Sequence, residues 1–288
     1  MPDGRVVLTG ANGILGSAFA RLLPADRLVS LGRNDLDPAD PEAVLRRIVQ
    51  LKPSWVINCA ADTDVEAAET APECAFATNA TLVGALARAA AETGARMLHF
   101  SSTGCYGDWK RTPYAEDDAL RPTTVHHRSK AAGEEQVLRV DKRALVMRLG
   151  WVFGGRPGQH KNFVWARLME ARGKAAIGCN PSQTGCPTCA EDVVAQALAL
   201  LRGQVTGVVN CVGGGAPARR LDYVAAILAA GGCTALVSPV AFPRRAPVSP
   251  NEAAVNARLR RLGLDMMPPW PASLTTFVRS LLADVAAN

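Results

Sequence analysis

The chain has 288 residues, 48% hydrophobic and 20% charged, with a formal net charge of +6. That balance gives a packed globular protein with room for a full α/β core and a smaller lobe, and it excludes a disordered or fibrous chain. The arginines are scattered without interleaved aromatics, which argues against nucleic-acid binding and for a basic surface suited to small anionic molecules. No run reaches the ~18 apolar residues of a membrane span, and no signal peptide precedes the first strand pattern. A cytoplasmic protein is therefore expected, with its eight cysteines as reduced thiols.

Residues 5–10, RVVLTG, form a β-branched run closed by glycine and predict a buried strand; 14–23 follow with helical spacing. A second strand is predicted over 26–33. A helix over 40–53 is opened by Asp40 and Pro41 and stopped by Pro53. Next come a strand over 54–61, a long alanine-rich helix over 73–94, a strand over 95–102, a helix over 129–140 and a strand over 143–154. This alternation predicts an α/β fold with a doubly wound parallel sheet. Past residue 155 the rhythm loosens into helices over 190–203, 219–232 and 273–288, a strand over 207–213 and a proline-rich stretch over 239–253. The expected division is a dinucleotide-binding domain over 1–155 and a smaller substrate-binding lobe over 156–288, with segments within about 185–222 rejoining the first sheet.

Between the first strand and first helix lies Thr9-Gly10-Ala11-Asn12-Gly13-Ile14-Leu15-Gly16. Glycines spaced in this way let backbone approach a pyrophosphate resting on the helix N-terminus. An NAD site usually carries an acid at the end of the second strand; here the chain offers Gly32 and Arg33, and an arginine there pairs with the 2′-phosphate of NADP. NADP(H) is thus expected over NAD(H), although Asp35 and Asp37 keep NAD open. Cys186 and Cys189 form a C-x-x-C, but no second ligand pair completes a zinc site and the chain is not organised around the motif as around a redox pair. No metal is expected.

These motifs together resemble the extended short-chain dehydrogenase/reductases and are most similar to the dTDP-4-dehydrorhamnose reductase family of sugar-nucleotide reductases. The likeness runs nearly end to end, through the glycine loop, VINCAADTDVEAAETAPECAFATNA, PYAEDDALRPTTVHHRSKAAGE, RLGWVFG, KNFV and QTGCPTCAEDVV. The resemblance implies that Thr9, Gly10, Asn12, Gly13, Ile14, Leu15 and Gly16 hold the cofactor phosphates. It implies that Ala60 and Ala61 line the cofactor groove and that Asn79 supports the active-site lysine through water. Ser102 falls on the catalytic serine/threonine that bonds the substrate carbonyl, and Lys130 on the lysine that binds the nicotinamide ribose. Thr63, Thr103, Trp151 and Asn162 fall on the substrate side.

Two positions depart from the family pattern. Thr103 stands where an acid often follows the catalytic residue. His126 stands four residues before Lys130, where the family places its proton-donating tyrosine. Histidine is an acid near neutral pH, but the Lys130 ammonium disfavours imidazolium and the ring is shorter than a phenol. His127, one step along the helix, is expected to face away. Three readings stay open: a carbonyl reductase with His126 as variant acid/base, acting with Ser102 and Lys130; a cofactor-binding protein with non-redox chemistry; or a regulatory, partner-binding protein. The preferred one is NADP(H)-dependent reduction of a 4-keto nucleotide sugar or a related metabolite, with a homodimer left open.

Overall fold

The computed structural model describes residues 4–286, so the last two residues of the predicted tail helix lie outside the described ones. Six parallel strands form the central sheet. They are β1 (Val6–Thr9), β2 (Leu28–Leu31), β3 (Trp55–Asn58), β4 (Arg96–Ser102), β5 (Leu145–Leu149) and the strand Gly207–Cys211. Their order across the sheet is Gly207–Cys211, β5, β4, β3, β1, β2. β1, β3 and β5 are buried at every residue, as strands covered by helices on both faces must be, which explains their unbroken apolar runs. The strand order reverses between β1 and β3, and such a reversal opens a crevice at the carboxyl ends of the strands.

Helix α1 (Ile14–Leu22) follows β1. Helix α2 (Pro41–Leu51) starts at Asp40, whose side chain accepts from Ala43 N at 2.9 Å, with Pro41 at the position where a missing N–H does no harm. The helical stretch Pro72–Thr93 has 22 residues with an 18-residue window of mean hydropathy 1.2, long and apolar enough by length and composition to cross a membrane, although Glu73, Asn79 and Arg88 keep it from being an unbroken apolar run. Alanine supplies that hydropathy, 61% of the window is buried in the fold, and the helix packs on α2 and on helix Val125–Val140 as a core element. It is interrupted by a π turn, Ala77–Thr81. Such turns recur at functional sites because they displace one residue from the regular ladder; the residue here is Asn79.

Helix Val125–Val140 begins four residues earlier than its sequence pattern suggests, because Thr124 caps it by accepting from His127 N at 3.1 Å. Gly133 on this helix passes so close to the π turn that a Cβ would stand 2.1 Å from Asn79 O. Behind the sheet's carboxyl end, Glu134 of the same helix pairs with Arg148 of β5 at 2.7 Å, both buried. Arg148 Nη1 donates to Tyr106 Oη at 2.9 Å, and Tyr106 Oη donates to Asn210 Oδ1 at 2.8 Å.

The predicted strand over 143–154 is two strands, β5 and Trp151–Phe153. Gly150 separates them, where a Cβ would lie 2.2 Å from Cys186 O. Trp151–Phe153 leaves the sheet and pairs in parallel with Pro187–Cys189. A separate hydrophobic cluster packs there, built on Phe153, Val164, Leu168, Tyr223, Leu274 and Val278.

Candidate active site

The glycine loop over 10–13 turns β1 into α1. Gly10 has a φ of +66°, and a Cβ there would stand 2.7 Å from Ala60 N; a Cβ at Gly16 would stand 2.1 Å from Gly10 O. Only glycine lets loop, helix and the segment after β3 meet so closely. Gly13 caps α1 with no side-chain acceptor, so the first helical N–H groups are available to an anion. Ile14 and Leu15 are half-buried against the core beneath. These features fit a dinucleotide diphosphate.

The register of β1, β3 and β4 sets Thr9, Asn58 and His99 side by side. All three are buried. Thr9 Oγ1 donates to Asn58 Oδ1 at 2.6 Å, and Asn58 Nδ2 lies 3.0 Å from His99 Nδ1. Asn58 Oδ1 also accepts from Ala60 N at 3.1 Å, which fixes the turn carrying Ala60 and Ala61 along the groove. Burial, reinforced by the Lys130 charge, holds the His99 imidazole well below its usual range. At the end of β2, Arg33 is exposed. Asp35 instead turns back, its Oδ2 accepting from Gly32 N at 2.7 Å.

Ser102 ends β4 and caps the short turn Thr103–Tyr106, its Oγ accepting from Gly104 N at 3.1 Å. That bond uses a lone pair and leaves the hydroxyl proton free to donate. Thr103 is buried. Lys130 is buried too, its Nζ donating to Phe100 O at 2.5 Å. Burial pulls its ammonium down to about 8 despite the opposing pull of the Cys105, Glu134 and Cys59 groups. His126 is 7% exposed. Burial first, then His127 and Lys130, pull its imidazole down to about 3. Its Nδ1 has no hydrogen-bond partner among the described residues. At neutral pH the site therefore holds a neutral His126 beside a Lys130 close to giving up its proton.

Both N–H groups of the Asn79 side chain are taken, donating to Asp62 O and Ser129 Oγ, each at 2.9 Å, and its Oδ1 accepts from Asp62 N at 2.9 Å. It thereby fastens the segment after β3 to the helix of Lys130 through backbone and Ser129, rather than reaching Lys130 itself. Asn162 caps helix Phe163–Ala171 by accepting from Trp165 N at 3.0 Å and donates to Arg156 O at 3.0 Å, so it shapes a loop. Trp151 Nε1 donates to Glu252 Oε2 at 2.7 Å. Thr63 Oγ1 accepts from Lys161 Nζ at 3.0 Å.

His127 does not face away. It is buried, its Nδ1 lies 3.0 Å from Thr124 Oγ1, and its ring meets that of His126 edge-on at 4.9 Å. A Cβ at Gly104 would stand 2.2 Å from its Nε2, so the imidazole fills the space a side chain at 104 would take. The reason is local: His127 is the third residue of its helix, and a side chain there bends back toward the cap. Sequence periodicity missed it because the helix start was misplaced. The cue lay in Thr124 three residues before.

Cys189 sits at the start of helix Ala190–Arg202, a place that ordinarily favours thiolates. Here burial, with Glu191 and Asp192 adding to it, pushes the thiol up to about 12, and burial pushes Cys186 up to about 11.

Residues 4–283 match the family described as RmlD substrate binding domain. The chain belongs to that family. Within it, this RmlD-family chain is 36% identical over 282 residues to a dTDP-4-dehydrorhamnose reductase of Mycobacterium tuberculosis, covering 94% of this chain and 91% of the relative. Its fold superposes on a dTDP-4-dehydrorhamnose reductase of Clostridium acetobutylicum with a TM-score of 0.91 at 26% identity, covering 96% of this chain and 99% of the other. The corresponding Bacillus anthracis reductase, solved in complex with NADP, superposes with a TM-score of 0.90 at 24% identity, covering 96% and 99%. As an RmlD-family member the chain has the extended short-chain reductase fold; Ser102 ends β4, and Lys130 reaches Phe100 O of that strand from the helix that also carries His126.

Proposed function

We propose that this chain is an NADPH-dependent reductase of a 4-keto nucleotide sugar, dTDP-4-dehydrorhamnose or a close relative. The observation that carries the reading is that buried Lys130, four residues after His126 on the same helix, reaches Phe100 O of β4, the strand that ends at Ser102, in the sheet whose first strand leads into the glycine cradle. NADPH, when bound, supplies the hydride that reduces the carbonyl carbon. Ser102 Oγ, already accepting from Gly104 N, gives its proton to a hydrogen bond on the carbonyl oxygen and holds it as charge develops. The proton resides on Lys130 Nζ at neutral pH. His126, neutral there, gives a ring proton to the alkoxide, and Lys130, four residues on along the same helix, is the reservoir from which that proton is restored. Neutral imidazole is the form this pocket favours, and neutral imidazole serves as a donor elsewhere.

The test is NADPH absorbance loss on dTDP-4-keto-6-deoxysugars. Turnover is expected. Protein that binds NADPH and consumes none with any of them would sink the reductase reading and leave a binding role.

The preference for NADPH rests on Arg33, exposed while Asp35 is tied to Gly32. Replacing Arg33 with glutamine is expected to lower the NADPH-over-NADH ratio of kcat/KM by about tenfold or more, the scale of one charge-assisted phosphate contact. An unchanged ratio would place the 2′-phosphate elsewhere.

A further inference from the structure

The loop over 154–162 leaves strand Trp151–Phe153 in the smaller lobe and ends at Asn162, the cap of helix Phe163–Ala171. Two side chains tie it to the other lobe. Gln159 Nε2 donates to Asn12 O at 3.0 Å in the glycine loop, and Lys161 Nζ donates to Thr63 Oγ1 at 3.0 Å beyond β3. Asn12 and Thr63 lie on the chain segments leaving β1 and β3, on either side of the strand-order reversal. The loop therefore spans the crevice where dinucleotide and substrate meet.

Lys161 is unusual in this loop. Its φ is +65°, a left-handed conformation shared here with Gly155 and Gly158, and strained backbone of this kind in a side-chain-bearing residue gathers at ligand clamps. Its ammonium takes a neutral hydroxyl as partner and joins none of the ion pairs among the described residues. Its charge nevertheless reaches the site, adding to the burial, His127 and Lys130 effects that hold His126 low. An ammonium bonds a phosphate oxygen more strongly than a hydroxyl, so an anion arriving in the crevice displaces Thr63.

We propose that Lys161 is a diphosphate-holding residue of this site, exchanging Thr63 for a ligand phosphate oxygen and latching the loop across the crevice. This rests on the reductase reading, in which two diphosphates enter, one of the cofactor and one of the nucleotide sugar. The measurements are dissociation constants for NADPH, by fluorescence, and for dTDP, by calorimetry, at low and high salt. Lys161→Met is expected to weaken at least one of them about tenfold and flatten its salt dependence, with an unchanged thermal midpoint; Lys161→Arg, which keeps the charge, is expected to stay within about threefold of wild type. A loss confined to NADPH assigns the contact to the cofactor, and one confined to dTDP assigns it to the substrate. Unchanged affinities for both, or an equal loss in Lys161→Arg, overturn the proposal. Wild-type protein that binds neither ligand would remove the functional reading itself.

Discussion

Lys130→Met lowers kcat by about 10²–10⁴-fold, the range of a general acid–base group, while leaving the protein at least as stable as the parent near neutral pH. The two effects share one cause. Lys130 is buried with a single carbonyl partner, Phe100 O at 2.5 Å, and burial pulls its ammonium down to about 8. The desolvation that makes the proton available also makes the charge unfavourable in the folded state, so an apolar side chain of similar length relieves it. In the parent enzyme reduction should fall as pH rises through about 8, where Nζ loses its proton; the methionine variant should lack that limb. Stability runs the other way. Between about 8 and the ordinary lysine range the unfolded chain binds a proton the folded chain does not, so stability rises with pH there in the parent and not in the variant. A kcat profile and a denaturant midpoint taken across that window check both. A methionine variant with near-parental kcat would mean that Lys130 is only a cofactor anchor.

Glu134→Gln is expected to destabilise the fold by about 3–5 kcal/mol, read as a drop in denaturant midpoint, because it leaves the buried Arg148 guanidinium without its counter-charge. Glu134 and Arg148 meet at 2.7 Å, with side chains 3% and 7% exposed. Arg148 also holds Tyr106 at 2.9 Å, tying helix Val125–Val140, β5 and the turn after Ser102 into one network. Replacing both partners, as in Glu134→Leu with Arg148→Met, should recover much of the loss, since two apolar groups strand no charge. There is a catalytic consequence. Glu134 is one of the groups that hold the Lys130 ammonium up against burial, so the glutamine variant should move the alkaline limb of the activity profile to lower pH. A destabilisation below about 1 kcal/mol would show that the ion pair is dispensable.

Acid should destabilise the folded chain through its histidines. His126 is held at about 3, and His99 and His127 are also lowered. As pH falls from the ordinary imidazole range toward about 3, the unfolded chain takes up protons that the folded one refuses, and stability falls.

The parallel sheet and the glycine loop were legible in the sequence because each is written locally. β1 and β3 are runs of neighbours that must all be buried, and Gly10 and Gly16 are glycines because backbone atoms lie within 2.7 Å of where a Cβ would be. The Asp40 and Pro41 start of α2 was legible for the same reason. The start of helix Val125–Val140 was not: its first turn carries Thr124 as cap but no apolar periodicity to announce it, and with the start misplaced His127 was turned to the wrong side. Strand Trp151–Phe153 read as a continuation of β5 because the break at Gly150 is imposed by Cys186, 36 residues later in sequence.

What the amino-acid sequence determined by itself was the order of strands and helices, the glycine loop and the spacing of His126 to Lys130, all set by residues close together in the chain. Only the tertiary structure decided what those residues can do. Burial by distant segments pulls the Lys130 ammonium down to about 8 and the His126 imidazole down to about 3; Asn79 binds Asp62 and Ser129; and Lys161 reaches Thr63, 98 positions away, because the loop that carries it folds back beside the segment after β3. Charge, desolvation and proton affinity depend on what surrounds a group in space, and that is settled only when the chain has folded.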